Sequence, residues 1–156
     1  MTAHACSRAR LPLLLGLLIG SVDGGTLQAS EHAAVSIGDV HVSRESGAGG
    51  EALKELKAAL SMELGRTRLG SVKRPLIVSA TLTQLSSERR DERTKTSATI
   101  SIALSRAEDR VLFAEIRGKA SVEEASGNVA SVRRAALEGA VHGAFARLPE
   151  AIRRSR

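Results

Sequence analysis

Residues 76–122 constrain the fold of this 156-residue chain most strongly, because apolar residues there alternate with Ser, Thr and charged residues. A period of two places successive side chains on opposite faces of a β-strand. Short polar segments at 88–95 and 106–110 divide the stretch into three runs. The pattern therefore predicts three consecutive strands joined by tight turns, with one apolar face and one polar face.

Two segments with helical spacing flank these strands. Leucines recur every three or four residues within 51–64, and a broad apolar stripe recurs at the same spacing within 129–148. Asn128 or Ser126 can cap the start of the second segment. Each segment is predicted to be an amphipathic helix that buries one face.

An earlier β-rich segment, residues 34–43, is predicted to be the first strand, with a bulge at Gly38-Asp39 that shifts the phase of its apolar residues. The element order is then βαβββα. A right-handed crossover makes strands one and two parallel, and tight turns make the later strands antiparallel. The predicted fold class is α+β: a two-layer sandwich in which a four-stranded mixed sheet carries both helices on its apolar face.

The N-terminus has the pattern of a secretory signal peptide. Arg8 and Arg10 precede an apolar run at 11–20, and small and polar residues follow. Cleavage is expected after Ala29, with a cut near Gly24 as the alternative. A ten-residue helix spans about 15 Å, half of a bilayer's hydrocarbon core, so a transmembrane anchor is disfavoured. The chain is predicted to be exported, either to the periplasm or as a secreted protein.

The predicted organisation is a signal peptide at 1–29, a single α+β domain at 30–149 and a basic C-terminal tail at 150–156. The only cysteine, Cys6, lies upstream of the apolar run, whereas a lipoprotein signal places its cysteine just after that run. Removal of the leader would leave no cysteine for a disulfide, a thiol nucleophile or a thiolate metal site.

Composition argues against nucleic-acid binding and cofactor pockets. Phe113 and Phe145 are the only aromatic residues, and both single-stranded nucleic-acid grooves and buried-ligand pockets commonly use aromatic side chains. The arginine-rich segment 86–97 carries four basic and three acidic residues and so has a net charge of only +1. It is predicted to be the solvated tip of a hairpin, because phosphate binding needs uncompensated charge.

No motif identifies a catalytic or metal site. The segment 47–52, GAGGEA, matches half of a dinucleotide-binding pattern, but Glu51 would repel phosphate, so a flexible joint is favoured. The histidines lack metal-ligand spacing, and the serines lack a nucleophile elbow. The GxxxG spacing of Gly139 and Gly143 predicts close packing rather than a membrane dimer, because charged residues interrupt it. The chain is predicted to be non-catalytic and to carry no cofactor.

Uncompensated positive charge collects in two segments. Residues 64–87 carry four basic and no acidic residues, and residues 147–156 carry four basic residues and one acidic residue. In the predicted topology both helices run in the same direction, which brings the two segments to one end of the sandwich. Cations there complement the helix dipoles, but their number also predicts a surface for an anionic partner. The candidate binding residues are Arg66, Arg68, Lys73, Arg74, Arg147, Arg153 and Arg154.

The exported βαβββα order over residues 34–149, with a leucine-rich first helix before a proline-led strand and an alanine-rich last helix, resembles the small periplasmic domains of bacterial envelope-assembly and transport-auxiliary proteins. The chain departs from the lipoprotein members of that group because it lacks the lipid-attachment cysteine. The resemblance implies an interaction role rather than an enzymatic one.

The predicted function is therefore that of a non-catalytic exported interaction module. Its expected partner is an envelope protein or an anionic lipid or glycolipid, bound through the basic end or through an exposed strand edge. The alternative is a domain that binds a small ligand or an envelope lipid in a pocket between the helices and the sheet. Such a pocket would be lined by Leu56, Leu60, Ile102 and Phe145, whereas a filled core would favour the interaction module.

Overall fold

A computed structural model describes residues 35–69, 72–125 and 128–154 of the chain. In chain order the elements are β1 (Val35–Val42), α1 (Gly50–Arg66), β2 (Leu76–Arg90), β3 (Arg93–Arg106), β4 (Leu112–Ala125), α2 (Val129–Phe145) and α3 (Leu148–Arg154). The predicted signal peptide, residues 1–29, lies outside the described residues. The predicted order βαβββα is confirmed, and α3 is an addition to it.

The four strands form one mixed sheet in the order β1-β2-β3-β4. β1 is parallel to β2, and the remaining pairs are antiparallel. The register passes from Ile37 opposite Val78 to Val40 opposite Ala80, so β1 holds one residue more than β2 between these pairs. The bulge predicted at Gly38-Asp39 is therefore present, and it returns the apolar residues of β1 to the core side.

Both helices cover the same face of the sheet and contact each other. They run in the same direction, as two side-chain contacts between them show. Near the start of both helices Glu55 binds Arg133, and further along Glu63 lies 2.8 Å from His142. The predicted α+β sandwich with both helices on one face is thus confirmed.

The core lies between this helical layer and the sheet. Alternate residues of β3 point into it, and the four apolar ones are fully buried: Ala98, Ile100, Ile102 and Leu104. Phe145 of α2 and Leu56 and Leu60 of α1 belong to the same core cluster and also have no exposed surface. Thr99, Ser101 and Ser105 of β3 lie on the opposite, uncovered face, as the alternation predicts.

The C-terminal segment after residue 149 packs on the domain, whereas the sequence predicts a domain that ends at this residue and a basic tail after it. α2 stops at Phe145, and the short helix α3 follows from Leu148, with Leu148 and Ile152 buried in the core. Pro149 falls in the first turn of α3, where its missing N–H group is not needed. The sequence predicts one continuous helix up to Leu148, because the apolar spacing includes this residue. The break at residue 146 does not alter that spacing, since Leu148 is buried whether the helix continues or a new one begins.

Candidate functional site

The predicted anion-binding residues fall at the end of the sandwich where α1 and α2 finish. We call this set, Arg66, Arg68, Lys73, Arg74, Arg147, Arg153 and Arg154, the basic pole. Arg66 is the last residue of α1, and Arg68, Lys73 and Arg74 lie in the connection to β2. Arg147 lies between α2 and α3, and Arg153 and Arg154 are the last two residues of α3. Because α1 and α2 are parallel, both groups lie at the same end of the sheet.

The side chains of the basic pole face solvent, and most carry uncompensated charge. All seven residues are exposed. Arg154 is paired with Glu150. Within the described part of the chain, no acidic side chain forms an ion pair with the other six. Unpaired guanidinium and ammonium groups at one end of a domain attract anionic surfaces, and salt weakens this attraction.

The turn between β3 and β4 connects the two groups of cations. Its Ala107 N–H donates a hydrogen bond to the carbonyl of Pro75, at 2.9 Å, and Pro75 follows Lys73 and Arg74 in the chain. On the other side, the first residues of β4 face α3 across a groove of about 380 Å³. Arg147 and Arg154 line that groove together with Phe113 and other residues. The basic pole is thus a band across one end of the domain.

The glycine-rich joint lies at the opposite end, in a groove of about 400 Å³. Gly47 ends the short 3-10 turn Arg44–Ser46 with a φ of 71°, a conformation that glycine adopts without strain. Gly49 precedes α1, and Glu51 and Arg133 also line the groove. The joint connects a strand to a helix, as its glycines predict.

Arg133 at this groove is held by Glu55, a contact between helices that sequence spacing does not reveal. Nε of Arg133 lies 2.8 Å and its Nη2 lies 2.7 Å from the two carboxylate oxygens of Glu55. The side chain of Arg133 is only 25% exposed and that of Glu55 only 12% exposed. Hydrogen bonds from Arg133 lower the pKa of Glu55 below its ordinary value of 4.5, although burial opposes the shift. The pair fixes the register of α1 against α2.

Glu55→Gln is expected to lower the free energy of unfolding by about 2 kcal/mol at pH 7, because a charge-assisted bidentate contact is lost. The pKa of Glu55 is lower in the folded chain than in the unfolded chain, so its carboxylate stabilises the fold at pH values above 4.5. This stabilisation is lost as the pH falls through the pKa that Glu55 has in the folded chain. Urea unfolding at pH 7 and pH 3 should show a smaller difference at pH 3. Glu51→Gln is the control, since Glu51 is 70% exposed in its pair with Lys54 and should change stability by less than about 0.5 kcal/mol. An equal loss in both variants would contradict the assignment.

The residues proposed to line a ligand pocket are packed together instead. Leu56, Leu60, Ile102 and Phe145 have no exposed surface and belong to one core cluster. None of the four lines either of the two grooves at the ends of the domain. The filled core favours the interaction module over the pocket-binding alternative.

The described residues bring no three His, Cys, Asp or Glu side chains together in a group that could hold a metal ion. His41 lies in β1 and His142 in α2, while His32 falls outside the described residues. Among the helices of the described segments, none is long and apolar enough to cross a membrane.

The arginine-rich segment 86–97 is the tip of the β2–β3 hairpin, as predicted. The strands run to Arg90 and resume at Arg93, so the turn has only two residues, and its Asp91 adopts a positive φ of 52°. Arg90 pairs with Glu88, and Arg93 pairs with Glu123 of β4. Mixed charge therefore neutralises this end of the sheet locally, unlike the basic pole.

Comparison with known proteins identifies the fold but no family. No protein-family model and no curated protein matches the chain. Among solved structures, a DUF330 protein from Xanthomonas campestris is similar at 10% identity and a TM-score of 0.56, over 78% of this chain and 88% of that one. A protein from Caulobacter crescentus, provisionally described as a lipoprotein, matches at 13% identity and a TM-score of 0.49, over 79% and 90%. The PelC dodecamer from Paraburkholderia phytofirmans matches at 10% identity and a TM-score of 0.45, over 75% and 89%. No shared motif accompanies these similarities, and the first of them shows a common fold with a bacterial DUF330 protein.

Proposed function

We propose that this protein is a non-catalytic, exported interaction module of the bacterial envelope, and that the basic pole binds an anionic partner. The observation that carries the proposal is the set of six exposed cations without an ion pair in the described chain, gathered at one end of the domain. At the opposite end, acidic residues such as Glu88 and Glu123 are interspersed with the cations. Asymmetric charge of this kind steers a domain onto a negatively charged surface.

The filled core supports an interaction surface rather than a buried ligand pocket. The apolar side chains between the layers leave no space at Leu56, Leu60, Ile102 and Phe145, so a small ligand has no buried site there. The resemblance to envelope domains, carried by element order, and the signal-peptide pattern at 1–29 support export to the periplasm or beyond.

A charge-reversal variant tests the proposal. Replacing Arg66, Arg68, Lys73 and Arg74 by Glu should weaken binding to vesicles containing one quarter phosphatidylglycerol, and to soluble polyglutamate, by at least about tenfold, because each cation near an anionic surface contributes about 1 kcal/mol. Vesicle flotation and fluorescence anisotropy measure the two affinities at low and high salt. Binding of the natural chain should fall with salt.

The matched control reverses four exposed cations that lie in the β1–α1 connection and at the hairpin end, namely Arg44, Arg89, Arg90 and Lys95. Its net charge equals that of the pole variant. If both variants lose affinity equally, net charge alone drives binding, and the pole has no special role. If the natural chain binds neither anion, the proposal is wrong.

A further inference from the structure

Two large apolar residues, Val111 and Leu112, are exposed next to each other where β4 begins, with 45% and 57% of their surface accessible. The turn that presents them is ordered by its own hydrogen bonds. The Val111 N–H donates to a carboxylate oxygen of Asp109 at 3.0 Å, and the Val111 carbonyl accepts from the N–H of Arg106 at 3.1 Å. Arg110 adopts a positive φ of 58° between these contacts. The two aliphatic side chains are therefore held outward on a fixed turn.

The basic pole flanks this pair on both sides. The turn is hydrogen bonded to Pro75, directly after Arg74. β3 separates the starts of β2 and β4, so these lie about 10 Å apart, two strand spacings. Beyond β4 the next cations are Arg147 and Arg154, which line the groove at Phe113. The apolar pair thus occupies the middle of the band of cations.

We propose that this end of the domain docks on an anionic lipid bilayer, with Val111 and Leu112 entering the membrane interface and the basic pole contacting the headgroups. The inference rests on the proposed function and names its anionic partner. A bilayer interface accepts apolar side chains at its acyl boundary and cations at its headgroups. An acidic protein surface would match the cations but would not account for two exposed aliphatic residues among them.

The acidic groups nearby do not oppose this orientation strongly. Asp109 is paired with Arg106, and Glu150 is paired with Arg154. Glu115, which lines the groove with Arg147, is paired with Arg117. Glu108 lies next to the exposed Arg110 on the same turn. The turn itself is therefore close to neutral, and attraction to headgroups comes from the cations on either side of it.

A single tryptophan can report the insertion, because the chain contains neither Trp nor Tyr. In full-length protein, Leu112→Trp should show a blue shift of its emission, and quenching by brominated acyl chains, when vesicles with one quarter phosphatidylglycerol are added. Val129→Trp is the control, since Val129 is 43% exposed but lies at the opposite end of the domain, in the first turn of α2. It should show neither change.

Removal of the apolar pair gives a second readout. The double variant Val111→Ser and Leu112→Ser should bind the same vesicles about tenfold more weakly, because half-exposed aliphatic side chains have further surface to bury. Its affinity for polyglutamate should be unchanged, and so should both affinities of Val129→Ser.

The outcomes for the anion-binding pole and for membrane docking differ. Loss of vesicle affinity in the charge-reversal variant, without insertion of the tryptophan in Leu112→Trp, would leave an anion-binding pole and overturn the membrane docking. Binding to polyglutamate but not to vesicles would indicate an acidic protein partner and would also overturn it. Insertion at position 112 with loss of affinity in the double Ser variant supports it.

Discussion

Gly118→Ala is expected to destabilise the folded chain by about 3 kcal/mol, at the upper end of the range for overpacking, because α2 rests directly on the backbone of β4 at this position. A Cβ atom on Gly118 would lie 2.0 Å from the carbonyl oxygen of Ala140 and 3.0 Å from the Cβ of Ala144. The obstacle at Ala140 is helix backbone, which cannot rotate aside as a side chain does. The helix would have to shift away from the sheet along this contact. Urea or thermal unfolding, followed by circular dichroism, measures the loss.

Gly143→Ala is the matched control, since it adds the same methyl group within α2 but meets no atom within 4 Å. There the change should stabilise the chain by about 0.5–1 kcal/mol, because alanine favours the helix over glycine. Retention of full stability in Gly118→Ala would mean that α2 is not seated on β4 as closely as described.

The small residues of α2 show how far the sequence alone predicts the close packing of α2 on the sheet. The GxxxG spacing predicts close approach, and Gly139 does lie close to the sheet, since a Cβ atom added to it would lie 3.0 Å from the Cβ of Ala120. Gly143 makes no such contact. Spacing along one helix identifies small residues, but the residue that each one meets depends on a strand about twenty positions earlier in the chain.

The strands and helices were predictable because each has one buried face, and burial imposes a period on the sequence. The bulge in β1 was predictable for the same reason, since it shifts that period. The ion pair of Glu55 with Arg133 was not, because 78 residues separate its members and no local rule relates them. The break between α2 and α3 was not predictable, because Leu148 is buried as it would be in a continuous helix.

The basic pole was predictable as a location, since parallel helices bring their C-terminal ends to one side. The exposure of Val111 and Leu112 was not predictable in the same way. The alternation in β4 assigns Leu112 to the inward face, yet the register with β3 shifts between Leu104 and Ser105 and places it opposite Ser105. A one-residue shift turns a side chain to the other face of a sheet. The exposure of Leu112 is therefore a product of this irregularity.

Phe145→Ala is expected to lower the free energy of unfolding by about 3–5 kcal/mol, because it removes the largest fully buried side chain and leaves a cavity. Phe145 is the last residue of α2, and the core cluster that contains it also contains Leu148 and Ile152 of α3. The cavity would therefore weaken the attachment of α3, which carries Arg153 and Arg154. Amide hydrogen exchange in α3 should accelerate more than exchange in β3 under native conditions.

Phe113→Ala provides the control, because Phe113 is the other aromatic residue and is only half-buried at the edge of the same core. Its loss should cost about 1–2 kcal/mol, since less of its surface leaves water on folding. Equal losses in the two variants would place Phe145 nearer the surface than described. Faster exchange throughout the domain, rather than in α3 first, would mean that α3 unfolds only together with the sandwich, so that the basic pole is as stable as the core on which it rests.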